Sequence, residues 1–303
     1  MTDLTSRIDA PTSLTSPSCA VSLFKRALPV LALCAAAAAL APTAHAAAVA
    51  VTIAPEVNGE WVTPDGAWDG RTVLMLHGFA DDMNGAGDLS KRMSARLAQM
   101  GIASLRINFR GEGARMRSEI ESTFDTRVAD TEAAYAFLQK QAGVKIAHSG
   151  VLGWSLGAAT AIVVGSKHPE WFRSMVLWST PSGDMYKYYM SKPTAQKAVK
   201  DGMAYEVVPG WKTIITKRAF YESFKGVDLD RSLAGYRGAF LTIRGSKDYL
   251  PQRDFDLIRI APGKPAQAEM IDGADHVFNV FDPGSAAPQR VIEITAAWLA
   301  RTL

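Results

Sequence analysis

Five consecutive residues, Gly153-Trp154-Ser155-Leu156-Gly157, constrain this chain more than any others. An apolar pair, Val151-Leu152, runs into them, and a small-residue stretch, Ala158-Ala159-Thr160-Ala161, runs out. A strand that turns directly into a helix around a serine leaves no space for side chains two positions to either side, so both flanking positions must be small. The turn lifts the serine Oγ away from the sheet and starts a helix beside it, aiming free N–H groups at negative charge that develops there. Gly-x-Ser-x-Gly alone arises by chance on the order of 0.1 times in a chain this long. Its setting gives it weight against the competing reading, an ordinary serine helix cap.

Around this turn, short apolar runs alternate with longer helical patterns, the signature of an α/β fold with a mostly parallel sheet flanked by helices. Strands are expected at Val51–Ala54, Trp61–Thr63, Val73–Leu76, Ile102–Ile107, Met175–Trp178, Phe240–Ile243 and Met270-Ile271. Helices are expected where Leu89, Met93, Leu97 and Met100 recur at helical spacing before Gly101, over Asp125–Lys140, over Ala158–His168, and over Pro288–Leu303. In the closing helix Val291, Ile294 and Trp298 can dock on the sheet. The alternation fails between Pro181 and Arg237, where Met185, Tyr186, Tyr188, Tyr189, Met190, Tyr205, Trp211, Phe220, Tyr221, Phe224 and Tyr236 crowd together and Gly202, Pro209 and Gly210 interrupt any helix. This reads as a lid over about 181–237, inserted between two core strands, whose aromatics serve its own packing or face a substrate.

Residues 1–46 read as a leader. Lys25 and Arg26 precede an apolar run from Ala27 to Leu40, then Pro42 and the small-x-small sequence Ala44-His45-Ala46, as in a secretory signal peptide. The run is shorter than the about 20 residues of a transmembrane helix. A lipoprotein signal at Cys34 would place a small residue before it, where Leu33 stands. Export would leave one large domain, 47–303, without Cys19 and Cys34, so its own core must stabilise it. That domain keeps 30 basic and 28 acidic residues, with no basic tract to support nucleic-acid binding. The expected location is secreted or periplasmic, with no membrane span after signal cleavage; oligomeric state is not legible.

A serine nucleophile needs a general base, and the base needs an orienting acid. Among His77, His148, His168 and His276, only His276 follows a late strand in a loop, Gly273-Ala274-Asp275-His276. His148 belongs at the remote end of the serine strand, His168 at the far end of the serine helix, and His77 in the loop after the first central strand. Asp248, in Gly245-Ser246-Lys247-Asp248, completes the chain order serine, acid, histidine. Asp272 and Asp275 are rivals too near His276 in sequence to reach its far ring nitrogen. The oxyanion donors are expected to be the Leu156 and Phe79 amides, with Gly78 allowing close approach and His77 bracing that loop. Such chemistry calls for no metal or organic cofactor, and the chain lacks a G-x-x-x-x-G-K-[ST] loop and a dinucleotide fingerprint.

With Leu76-His77-Gly78-Phe79, Asn108-Phe109-Arg110-Gly111-Glu112-Gly113, the serine turn, Gly245-Ser246-Lys247-Asp248 and Gly273-Ala274-Asp275-His276 in this order, the chain resembles the α/β-hydrolase superfamily over residues 70–303. It looks most like bacterial cinnamoyl/feruloyl-esterase-like and serine aminopeptidase-like hydrolases. The resemblance implies a Ser155–Asp248–His276 triad, an oxyanion hole from Phe79 and Leu156, a lid, and a small-molecule carboxylic ester as substrate. Three positions depart from the pattern: Trp154, a supporting residue of the site, precedes the serine where His is common, Ala158 follows Gly157 where a second Gly is common, and Glu112 replaces the His usual between the two glycines. Trp154 and the lid aromatics suggest an apolar or aromatic acyl group. A peptidase or amidase would use the same triad, and a binding protein on a retired scaffold would keep the fold without the activity. A thioesterase fits an exported chain poorly.

Overall fold

The computed structural model describes residues 47–64, 66–113, 119–208 and 212–303. The expected leader, with Cys19 and Cys34, and the lid residues Pro209, Gly210 and Trp211 lie outside the described residues. Strands β1 (Ala47–Ala54), β2 (Val57–Thr63), β3 (Thr72–Leu76) and β4 (Ala103–Asn108) come first, with helix α1 (Leu89–Gln99) between the last two. Then follow β5 (Glu119–Ile120), α2 (Phe124–Gln139), β6 (Ser149–Trp154), α3 (Leu156–Lys167) and β7 (Ser174–Trp178). An insertion carries α4 (Met185–Met190), α5 (Pro193–Asp201), β8 (Met203–Val207), β9 (Thr213–Lys217), α6 (Arg218–Glu222) and α7 (Leu229–Leu233). The chain closes with β10 (Ala239–Gly245), α8 (Asp254–Ile260), β11 (Ala266–Ile271) and α9 (Ala287–Thr302).

Eight strands form one sheet in the order β1-β2-β4-β3-β6-β7-β10-β11. The two pairings made by β2 are antiparallel and the remaining ones parallel. Both faces of its middle are covered, so the central strands read as unbroken apolar runs rather than alternating ones. Alternate residues nevertheless go to different cores. Leu74, Leu76, Met175 and Leu177 pack with α2, α3 and α8 on one face. Val73, Met75, Val176 and Trp178 pack with α1 and α9 on the other. In α9, Val291 and Trp298 are buried and Ile294 is half-buried, and the Trp298 indole donates to Ser174 Oγ at 2.9 Å.

The structure departs from the sequence expectations in several places. The first two strands are longer than Val51–Ala54 and Trp61–Thr63, because they pair as a hairpin out to Ala47 and Thr63. Helix α8, between β10 and β11, has only seven residues, too few to show a helical period. The lid is not built of helices alone: β8 and β9 form an antiparallel hairpin, and β9 pairs in parallel with β5, from the segment between β4 and α2, in a small sheet β5-β9-β8. Its aromatics divide accordingly. Phe220, Tyr221, Phe224 and Tyr236 are buried, with Tyr236 donating to the Phe172 carbonyl at 2.9 Å, whereas Tyr205 is 69% exposed on β8. Among the described residues, no helix is long and apolar enough to cross a membrane.

Candidate active site

Ser155 occupies the turn between β6 and α3 with φ 53° and ψ −116°, a backbone conformation that L-residues avoid. The flanking glycines are required by space. A Cβ on Gly157 would lie 2.2 Å from the Leu76 carbonyl oxygen, and one on Gly153 would lie 2.4 Å from that of Gly157. The Ser155 amide donates to the Trp178 carbonyl at 2.8 Å, which fixes the turn to β7. The helix begins at Leu156, two positions earlier than its small residues alone suggest.

The loop after β3 comes down beside the serine. A Cβ on Gly78 would point at Ser155 Cβ from 3.5 Å, so glycine keeps open the space above the hydroxyl rather than relieving a clash. The Phe79 and Leu156 amides have no acceptor among the described residues. The loop rests on buried charge. Glu112 accepts from the Ala80 amide at 2.9 Å and from the Ser122 hydroxyl. It pairs with Arg127, whose guanidinium also donates to the His77 carbonyl at 2.6 Å and lies 3.8 Å over the Phe109 ring. Burial would raise the Glu112 carboxyl, but the Arg127 charge and these hydrogen bonds take it below the ordinary range. His77 Nδ1 lies 2.7 Å from the Gly78 carbonyl and Nε2 accepts the Phe109 amide at 3.3 Å. These bonds fit a neutral ring, and burial, aided by the Arg127 charge, pushes its pKa down to about 4. Glu112, a departure from the sequence pattern, is thus an anchor of this loop.

His276, in the loop between β11 and α9, places Nε2 3.0 Å from Ser155 Oγ and Nδ1 2.8 Å from Asp248 Oδ1. Asp248 follows β10, and its Oδ1 also accepts the Leu250 amide at 2.9 Å. Burial would raise its carboxyl, but the His276 bond, the Leu250 amide and the nearby guanidinium of Arg244 hold it below the usual value. Tyr249 lays its ring 4.4 Å from the His276 ring. The rival acids point elsewhere: Asp272 accepts from the Ser246 hydroxyl, and Asp275 accepts from the Val277 and Asn279 amides of its own turn. His148 bonds the Leu303 carbonyl, and His168 stacks on Trp171 beside Glu132.

Trp154 packs against the histidine loop. Its side chain is buried on the α1/α9 face, packed against Trp178 and Phe278, and its indole N–H donates to the His276 carbonyl at 3.3 Å. Through this bond it supports the loop that carries His276. The sequence reading missed Arg244, which is fully buried and binds Asp248 Oδ2 at 2.8 Å. Its position four residues before the acid, within an apolar strand, was the available signal, since a guanidinium there must find partners.

A mostly parallel sheet with a Ser–His–Asp hydrogen-bonded chain at the carboxyl ends of its strands, and a lid inserted after β7, defines a serine hydrolase of α/β-hydrolase fold. The fold is that of the α/β-hydrolases. Residues 70–218 match a family model described as Serine aminopeptidase, S33. Among solved structures, Est1E from Butyrivibrio proteoclasticus superposes with a TM-score of 0.66 at 12% identity, covering 84% of this chain and 98% of its own. The esterase domain of a Rhodothermus marinus protein gives 0.60 at 19% identity, covering 85% and 98%. Dienelactone hydrolase from Anabaena variabilis gives 0.56 at 16%, covering 86% and 99%. These likenesses speak to fold. No curated protein matches the sequence.

Proposed function

We propose that this chain hydrolyses small carboxylic esters, with apolar or aromatic acyl groups, through an acyl-enzyme on Ser155. His276 takes the hydroxyl proton as Oγ attacks the carbonyl, while Asp248 holds the imidazole tautomer and supports its cationic form. The amides of Phe79 and Leu156 receive the oxyanion, each contributing roughly 3 kcal/mol in the transition state. The alcohol leaves with the proton from His276, and water then releases the acid by the same roles in reverse. The observation that carries this reading is the hydrogen-bonded run from Ser155 to His276 to Asp248, at 3.0 and 2.8 Å.

Preference for an aromatic acyl group draws on Phe79, half-buried beside the serine, and on Tyr249 against His276. Est1E, of similar fold, has been solved with ferulic acid bound. A peptidase or amidase reading draws on the match to the serine aminopeptidase model. Esters of graded acyl length and aromaticity, each with its matched amide, separate these readings when run on wild type and S155A. Esters are expected to be cleaved faster, aryl-acyl esters fastest, and S155A to lose at least about 10⁴-fold in kcat. Equal turnover of amides overturns the ester assignment, and full activity of S155A overturns the mechanism. Export with cleavage after Ala46 belongs to the same proposal; mass spectrometry of the exported protein should find Ala47 at its N-terminus.

A further inference from the structure

We propose that Arg244 is a positioning residue for the triad acid, one that fixes the Asp248 carboxylate and also sets how much of its charge reaches His276. The inference rests on the reading of Ser155, Asp248 and His276 as the triad. Arg244, on the last turn of sheet before the acid loop, is fully buried and uses its whole fork. Nη1 binds Asp248 Oδ2, Nε binds Asp254 Oδ2 at the start of α8, and Nη2 donates to the Thr180 carbonyl where the lid begins. Asp254 is itself held by the Thr242 hydroxyl.

The two oxygens of Asp248 are therefore assigned. Oδ1 faces His276 and the Leu250 amide, and Oδ2 faces the guanidinium. Rotation of the carboxylate would break both sets of bonds. The phenols of Tyr188 and Tyr249 also lie within electrostatic reach of Asp248. With His276 neutral, the two aspartates and the arginine carry one net negative charge. The cluster becomes neutral when His276 takes the serine proton. A guanidinium shared between two carboxylates thus holds geometry while leaving one unit of charge for the imidazolium.

The two halves of this pair act with opposite signs on His276, which a purely structural role would not do. The acid limb of kcat/KM against pH, which reports protonation of the base, is the readout. R244Q is expected to raise that limb by about one pH unit, because the full acidic charge then bears on the imidazole. D254N, which leaves the guanidinium to Asp248 alone, is expected to lower the limb by about half a unit. R244K keeps the charge and should hold the limb at its wild-type position while kcat falls. Should R244Q fail to fold, D254N carries the test, since it keeps the arginine and its bonds to Asp248 and Thr180. A limb unmoved in D254N, with kcat reduced, overturns the proposal. Failure of the triad reading is separately visible as activity retained in S155A.

Discussion

Two buried arginines flank Ser155, and they are held differently. Arg127 meets Glu112, and that pair meets the loop after β3 at its backbone, through the His77 carbonyl and the Ala80 amide. Arg244 meets a carboxylate that also bonds the histidine at Nδ1. One ion pair shapes a loop and stays outside the proposed proton transfer, whereas the other shares an atom group with it. The same device, an arginine buried against an acid, yields rigidity alone in the first case and rigidity coupled to charge in the second. A buried pair is costly to break from one side only, because the remaining charge cannot regain water.

The largest effect that separates the two arms should come from E112A. Leaving Arg127 uncompensated is expected to cost about 3–5 kcal/mol of stability, seen as a lower Tm, and to lower kcat by loosening the Phe79 amide. The acid limb of its pH profile should stay where wild type has it; a displaced limb would erase the distinction from Arg244. Next comes an acid sensitivity confined to the loop after β3. His77 is neutral when folded, with a pKa of about 4, and protonates near 6.5 when unfolded. The unfolded chain therefore binds the extra proton, and stability falls as pH drops from about 6.5 to 4, by about 3 kcal/mol. H77Q should flatten the Tm–pH curve across that window, and an unchanged slope would remove His77 as its source. Below it both arms lose ground together, since Glu112 and Asp248 are both held below the ordinary carboxylate range and their contribution vanishes as they protonate. The smallest effect belongs to W154F, which removes the bond to the His276 carbonyl and should cost about 1 kcal/mol, with kcat changed less than about threefold.

Much of the scaffold was legible because periodicity and punctuation report local structure. Unbroken apolar runs located the central strands, and Gly101 stopped α1 in the left-handed region, at φ 71°. Ser155, Asp248 and His276 could be singled out from their places after strands, and the structure brings their side chains together. Features that depend on distant partners were not legible. Nothing local to Glu112 announces Arg127, fifteen residues away, and nothing local to Arg244 announces Asp254 or the Thr180 carbonyl. The packing of Trp154 was not legible because the residue before such a serine can face either side of the sheet, and Trp178 and Phe278 decide which. The lid hairpin escaped because β8 exposes Met203, Tyr205 and Val207 and buries only Ala204, a pattern that reads as neither core strand nor amphipathic helix.

The backbone at Ser155 has a consequence for mutational drift. A non-glycine residue held at φ 53° and ψ −116° carries about 1–3 kcal/mol of strain, which the surrounding sheet and helix must absorb. Glycine would relax it, so a change that removes the hydroxyl would also relieve the turn. Selection for thermal endurance without selection for turnover would then favour the inert protein, and heat resistance is a misleading guide when active variants of this chain are sought.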